Sequence, residues 1–373
     1  MSTVAPADVS IDQHWLNHAA KLAVRGHGGA QPNPLVGCII IDAAGVVVGS
    51  GHHRKAGEAH AEVAAIKMAG KHTLGSTLYV TLEPCSHHGR TPPCAEAIIA
   101  ADIGTVVYAE SDPHPHASGG SQVLRNAGIE VRRTSTPSCT ALLAPFVHRL
   151  QTGLPWITAK WAQTVDGYIA TRSGQSQWIS GERSRRLVHR ERGRVDAILT
   201  GIGTVTADDP MLTARNVRIR RVATRVVVDP RAELPRDSAL VRTAAGPPVI
   251  VLCLPTAPPE RIAALRDCGV HVHLGSETTD RLNLADHIKY LSAEHNIATM
   301  LVEAGPGLCT SLLNEDLINE CAVFIAPMLM ADEHATPPLC GLAPATIPDT
   351  SALALLANHR RGDDVLLRYS LRG

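Results

Sequence analysis

Aromatic residues are scarce in this chain: Phe, Trp and Tyr make up 3% of 373 residues. A surface that grips single-stranded nucleic acid by stacking its bases needs such rings in quantity, so that class of partner is disfavoured. A net charge is missing as well. Lys+Arg and Asp+Glu are both 35, which gives no general attraction to a polyanion or an anionic membrane, although a local basic cluster stays open. No apolar run reaches the ~18 residues that a spanning helix needs. Residues Met1 to Ser10 have neither the basic nor the apolar region of a signal peptide. The nine cysteines are odd in number and scattered, so they do not read as a disulfide framework. The expected compartment is a reducing cytoplasm, where cysteines serve as packing residues, ligands or nucleophiles.

What is present suits two buried cores. The hydrophobic fraction is 45% over 373 residues, and domains of roughly 100–200 residues make two the natural expectation. Ser10 to Gln13 looks like a capping box that opens a helix. Leu35–Ile41 reads as a buried strand, Val46–Val48 as its partner, and Ala59–Ala69 as helical. Thr77–Leu82, Thr105–Ala109 and Ile129–Val131 read as strands, and Cys94–Ala101 as a helix. After the helix Cys139–Leu150, the turn-rich stretch Gln151–Pro155 marks a joint, giving domains 1–150 and 151–373. The second half repeats the alternation, with strands near 156–162, 196–200, 225–229, 249–252, 299–303, 322–325 and 365–370. Strands alternating with helices indicate α/β layers in both halves.

Three elements carry metal chemistry: His60-Ala61-Glu62, Pro84-Cys85 and Cys94. A catalytic zinc takes three protein ligands and leaves one position for water. One imidazole and two thiolates provide that set, and the ion lowers the pKa of its water to about 7. Glu62, two residues past His60 at a helix start, can serve as the proton shuttle without ligating. H-x-E followed by P-C-x-x-C is the zinc-deaminase signature. Here Cys85 and Cys94 are nine apart, with Ser86 to Pro93 between them. A closed structural site using His87 or His88 as fourth ligand is the competing reading, but it has no use for Glu62.

His60-Ala61-Glu62-Val63 together with Glu83-Pro84-Cys85-Ser86-His87-His88-Gly89-Arg90-Thr91-Pro92-Pro93-Cys94 resembles the bifunctional deaminase/reductase of riboflavin biosynthesis. Asn33-Pro34-Leu35-Val36-Gly37, Gly57-Glu58-Ala59-His60 and Asp112-Pro113-His114-Pro115 are similar to the same family, which usually has Asn where His114 stands. The resemblance implies a cytidine-deaminase-like layered domain with zinc, followed by a dihydrofolate-reductase-like domain. It implies hydrolytic deamination of 2,5-diamino-6-ribosylamino-4(3H)-pyrimidinone 5′-phosphate, then NADPH-dependent reduction of the ribosyl group to ribityl. Asn33 would contact the deaminase substrate, although before proline it also suits a turn.

The second half is similar to the reductase domain of that family through Lys160–Gly167, Ser176–Ser180, Asp196–Leu199, Asp208–Arg215, Arg225–Asp229 and Val302–Pro306. At matching positions, Ala162, Trp178, Thr204, Asp208, Gly305, Pro306 and Gly307 would hold NADPH. Lys160, Ser176, Arg192, Leu212, Arg215 and Glu303 would hold the substrate. Plain alternatives stand beside these. Gly201-Ile-Gly203 is a weak dinucleotide signal, and Gly305–Gly307 before a helix suits an anion or an ordinary cap. Trp178 could be core, Asp208-Asp209-Pro210 a turn, and the arginines from Arg183 to Arg194 a solvated face. Two other functions compete. A nucleic-acid base deaminase needs a basic groove and stacking rings that this sequence does not offer, and a zinc-stabilised non-catalytic binding protein leaves Glu62 idle. The expected partner is a small-molecule substrate, without nucleic acid or membrane, and the resemblance implies a homodimer or higher homo-oligomer.

Overall fold

β1 (Gly37–Ile41) is buried along its whole length, as its run of Cys and three Ile requires. The structure is a computed structural model and describes residues 6–87, 92–114, 118–276, 281–342, 346 and 352–371. The chain divides into two compact units, Met1–Thr152 and Gly153–Gly373.

In the first unit, β2 (Val47–His52) and β3 (Thr77–Leu82) flank β1, both antiparallel to it. β4 (Thr105–Glu110) and β5 (Glu130–Arg133) extend the sheet in parallel, in the order β2-β1-β3-β4-β5. Alternation along the strands sends Ile39, Ile41, Tyr79 and Val107 to one face. There they meet Leu16 and Ala19 of α1 (Pro6–Ala23) and Cys139 of α5 (Pro137–Thr152). Cys38, Ile40, Leu78, Val80 and Val106 take the other face, under α2 (Ala61–Ala69), α3 (Cys94–Ala100) and α4 (Gly120–Asn126). The helix α1 begins at Pro6, four residues before the expected capping box, so Ser10 is interior to it. β2 starts one residue later than expected and runs on to His52.

α2 packs closely because both partners are small. It buries only Ala61, Glu62, Ala65 and Ala69, and a Cβ added at Gly51 of β2 would lie 2.2 Å from the Ala61 carbonyl oxygen. That close approach sets the position of the helix start that carries His60 and Glu62. A second glycine does the same for the cysteine loop. A Cβ at Gly120 would lie 1.8 Å from the Pro84 carbonyl oxygen, so α4 can abut Pro84-Cys85 only without a side chain there.

The second unit is built on a nine-stranded sheet in the order β10-β9-β8-β7-β11-β6-β12-β14-β13. Its strands are β6 (Trp156–Thr164), β7 (Ala197–Gly201), β8 (Thr224–Val228), β9 (Val249–Cys253), β10 (His271–Leu274), β11 (Thr299–Val302), β12 (Glu320–Ala326), β13 (Leu353–Arg361) and β14 (Asp364–Leu371). Pairing is parallel from β10 to β12 and antiparallel from there to β13. The central strands are apolar on both faces. Leu199, Val226 and Leu252 enter one core with Leu284, Ile288 and Leu291 of α10 (Leu284–Glu294) and with Cys309 and Leu312 of α11 (Pro306–Asn314). Ile198, Val227 and Val251 enter the other. That core also takes Val205 of α7 (Ile202–Asp208), Leu240 of α8 (Ala239–Arg242) and Ile262 of α9 (Pro259–Asp267). α6 (Glu182–Arg192) lays Val188 over Ala322, Phe324 and Leu366.

Two strands of this sheet are not legible in the sequence. β10 reads His-Val-His-Leu and is only four residues long. β13 keeps its leucines exposed, so no apolar alternation marks it. Both are edge strands, which lack one of the two neighbours whose packing would impose a pattern.

Candidate functional site

His60 precedes the first turn of α2 with extended backbone, Cys85 follows the end of β3, and Cys94 opens α3. Three separate elements thus bring one imidazole and two thiols together. The ligand atoms of His60, Cys85 and Cys94 all lie within 4.8 Å of one another, the one such group among the described residues. His60 Nδ1 is 3.2 Å from Cys94 Sγ and 3.6 Å from Cys85 Sγ. Tetrahedral zinc with ordinary bond lengths spaces N···S by about 3.5 Å and S···S by about 3.8 Å. The donors therefore fit that ion in kind and spacing. The Cys94 backbone N–H donates to Cys85 Sγ at 3.4 Å, a contact that favours the thiolate. The side-chain hydrogen bond with the Cys94 thiol pulls the Cys85 thiol down to about 4, with further help from His60 and from that backbone N–H. Cys94, sharing that bond and buried, is pushed up.

Glu62 is buried at 4% exposure and is not among the three ligands. Burial raises its carboxyl above the ordinary range, against the pull of His60. Of the two roles that a carboxylate can play here, ligand or general acid–base, a buried carboxyl whose pKa is raised is better suited to carrying a proton. His87 is exposed and lies outside the ligand group, and His88 lies outside the described residues, as do Gly89, Arg90 and Thr91 of the same loop and Pro115 of the Asp112–Pro115 motif.

Asn33 is joined to this centre by a residue that sequence reasoning passed over. Its Nδ2 donates to His53 Nε2 at 3.2 Å, and His53 Nδ1 donates to the Ala59 carbonyl at 3.2 Å. The His53 ring stands edge-on to His60 at 5.4 Å. Burial lowers the His53 pKa, consistent with a neutral ring that donates through one nitrogen and accepts through the other. Glu83, also buried, accepts from the backbone N–H groups of Ser121 and Asp112, which ties the strand end before Cys85 to that loop. A single histidine at a strand end carries no spacing signal, which is why His53 was not visible; Glu83 stands in the Glu83–Cys94 motif, but its bonds to Ser121 and Asp112 depend on the fold.

In the second unit, β6 and the end of β11 place Lys160 beside Glu303. Glu303 Oε1 accepts from Arg192 Nε at 2.6 Å, and Oε2 accepts from Arg192 Nη2 at 2.9 Å and Lys160 Nζ at 3.4 Å. Desolvation of this buried carboxyl is outweighed by the two cations, which hold it at about 2. The basic run of α6 is therefore not wholly a solvated face, since the Arg192 side chain is only 14% exposed and its fork is engaged by Glu303. Leu212 is buried with φ +49°, Arg215 is exposed, and Ser176 Oγ donates to Asp208 Oδ1 at 3.2 Å. Thr204 Oγ1 accepts the Gly305 N–H at 3.2 Å, joining α7 to the Gly305-Pro306-Gly307 turn at the start of α11. Trp178 is 65% exposed, with the Arg185 guanidinium 4.7 Å from its ring centre, so it is not a core residue. Ala162 lies half-buried on β6, beside the Phe324 cluster.

Comparison with known proteins matches two separate regions of the chain. Residues 9–110 match the cytidine and deoxycytidylate deaminase zinc-binding region, and residues 155–365 match the RibD C-terminal domain. A riboflavin biosynthesis protein RibD from Actinobacillus pleuropneumoniae is 38% identical over 360 residues, covering 96% of this chain and 95% of that protein. The structure of Acinetobacter baumannii RibD superimposes with a TM-score of 0.82 at 35% identity, covering 98% of this chain and 100% of the other. A diaminohydroxyphosphoribosylaminopyrimidine deaminase/5-amino-6-(5-phosphoribosylamino)uracil reductase from Thermotoga maritima gives 0.82 at 27% identity, with 98% and 100% covered.

Proposed function

Because this chain belongs to the RibD family of bifunctional riboflavin-biosynthesis enzymes, we propose that residues 1–150 and 151–373 divide its two reactions between them. The activities are a zinc-dependent deamination and an NADPH-dependent reduction, carried by a cytidine-deaminase-like and a dihydrofolate-reductase-like domain. The observation that carries the site assignment is the His60–Cys85–Cys94 group with buried, non-ligating Glu62 beside it.

In the deaminase unit His60, Cys85 and Cys94 hold the metal. Bound zinc supplies the Lewis acidity that makes a water nucleophilic near neutral pH. The Glu62 carboxylate takes a proton as the nucleophile attacks and gives it to the departing amino group. Its raised pKa suits both halves of that transfer. Asn33, steadied by His53, contacts the pyrimidine.

In the reductase unit Ala162, Trp178, Thr204, Asp208, Gly305, Pro306 and Gly307 hold the dinucleotide. NADPH supplies the hydride when bound. Lys160, Ser176, Arg192, Leu212, Arg215 and Glu303 hold the substrate. Glu303 stays ionised because Arg192 and Lys160 face it, so it accepts hydrogen bonds from substrate hydroxyls. Arg192 has its fork committed, which leaves exposed Arg215 as the cation for the substrate phosphate. Arg215→Ala should raise the reductase KM for substrate roughly ten- to a hundred-fold, the worth of a hydrogen bond to a charged group. On a substrate lacking the phosphate the variant and wild type should converge; equal losses on both substrates would rule out phosphate binding by Arg215.

The function is tested by incubating the protein with the pyrimidinone ribosyl phosphate, with and without NADPH. Ammonia should appear without NADPH, and NADPH oxidation should require prior deamination. NADPH oxidation without ammonia release would overturn the deaminase assignment. We also propose a cytoplasmic homodimer. None of the nine cysteines is paired in a disulfide, which suits a reducing compartment. The edge strand β13 leaves Leu353, Leu355 and Leu356 exposed at 43, 55 and 51%, an apolar edge that a second copy would cover. Light scattering that shows only the monomer mass would overturn the dimer.

A further inference from the structure

The last turns of α6 carry His189 and Arg192, three residues apart and so on one face of the helix. Both donate to the same atom. His189 Nδ1 lies 3.1 Å, and Arg192 Nη1 3.3 Å, from the carbonyl oxygen of Thr213. Thr213 follows Leu212, which is buried in a left-handed conformation, and Arg215 reaches back to Thr213 Oγ1 at 3.5 Å. A non-glycine residue in that conformation needs its neighbours to hold it there. Arg192 is a divided anchor, because its Nε and Nη2 are engaged by Glu303. His189 is not divided in this way. Burial, and then the charge of Arg192, lower its pKa, which favours the uncharged ring, and a carbonyl partner requires the proton on Nδ1.

We propose that His189 is a positioning residue of the reductase: by donating to the Thr213 carbonyl it fixes the Leu212–Arg215 segment in the form that receives the phosphorylated substrate. This rests on the reading that Leu212 and Arg215 contact substrate, and it adds a residue which that reading does not contain.

The test is reductase kinetics of the full chain on pre-deaminated substrate, with H189L, H189N and R215A. The Asn amide nitrogen stands close to where Nδ1 stood and can still donate. H189L should raise the substrate KM about five- to twenty-fold, the effect of losing one hydrogen bond to a shielded carbonyl, with kcat and the KM for NADPH little changed. H189N should return KM close to the wild-type value. An unchanged KM in H189L, or an equal rise in H189L and H189N, overturns the inference while the R215A effect leaves the substrate-site reading standing. If R215A itself leaves KM unchanged, that reading fails and the inference falls with it. A packing defect is told apart by its other signature, a lowered Tm with kcat and both KM values disturbed together, and finding that pattern in H189L also overturns the proposal.

Discussion

Glu62→Gln is expected to keep its zinc and lose deamination by about 10²–10⁴-fold, the range of a general acid–base step. The amide fills nearly the same volume in a buried position, so the packing of α2 against β2 and β1 should survive. Glu62 is not one of the three ligands, so metal content should be unchanged. An amide cannot carry the proton from the attacking water to the leaving amine. Ammonia release measured beside zinc content by elemental analysis decides the matter. A variant that binds zinc and deaminates at nearly the wild-type rate would mean that Glu62 has no part in proton transfer. Reduction of pre-deaminated substrate should be unaffected, which also controls for folding of the chain.

Cys85→Ala and Cys94→Ala should abolish deamination through a different cause, loss of the metal. Each removes one of three converging donors, and a two-ligand remnant holds zinc far more weakly. The variants should purify with little zinc and release no ammonia, yet they should still oxidise NADPH with pre-deaminated substrate. The Lys160–Arg192–Glu303 cluster and the Gly305 turn draw every one of their named contacts from residues beyond Gly153. Loss of both activities in a folded variant would show that the two sites depend on one another. Full zinc occupancy in either variant would remove that cysteine from the ligand set.

The sequence by itself determined the metal chemistry of this protein. His60, Glu62, Cys85 and Cys94 are residue types that only a few tasks require together, and their order along the chain survives any detail of packing. It also determined the α/β layering, because strands buried on both faces, such as Ala197–Gly201 and Val249–Cys253, must be apolar almost throughout. Tertiary structure alone decided what single polar residues do. His53 and His189 have no periodicity or spacing to betray them, and the bonds of His53 to Asn33, of Glu83 to Ser121 and of His189 to Thr213 exist only because segments far apart in sequence approach within hydrogen-bond distance. It also decided that Arg192, one of several arginines on a helix that reads as a solvated face, is held by Glu303 111 residues away, whereas Arg215 stays open to solvent. The physical reason is range. Patterning reports the burial of whole faces, which is an average over many residues, whereas a hydrogen bond or ion pair depends on one contact between segments that only the folded chain brings together.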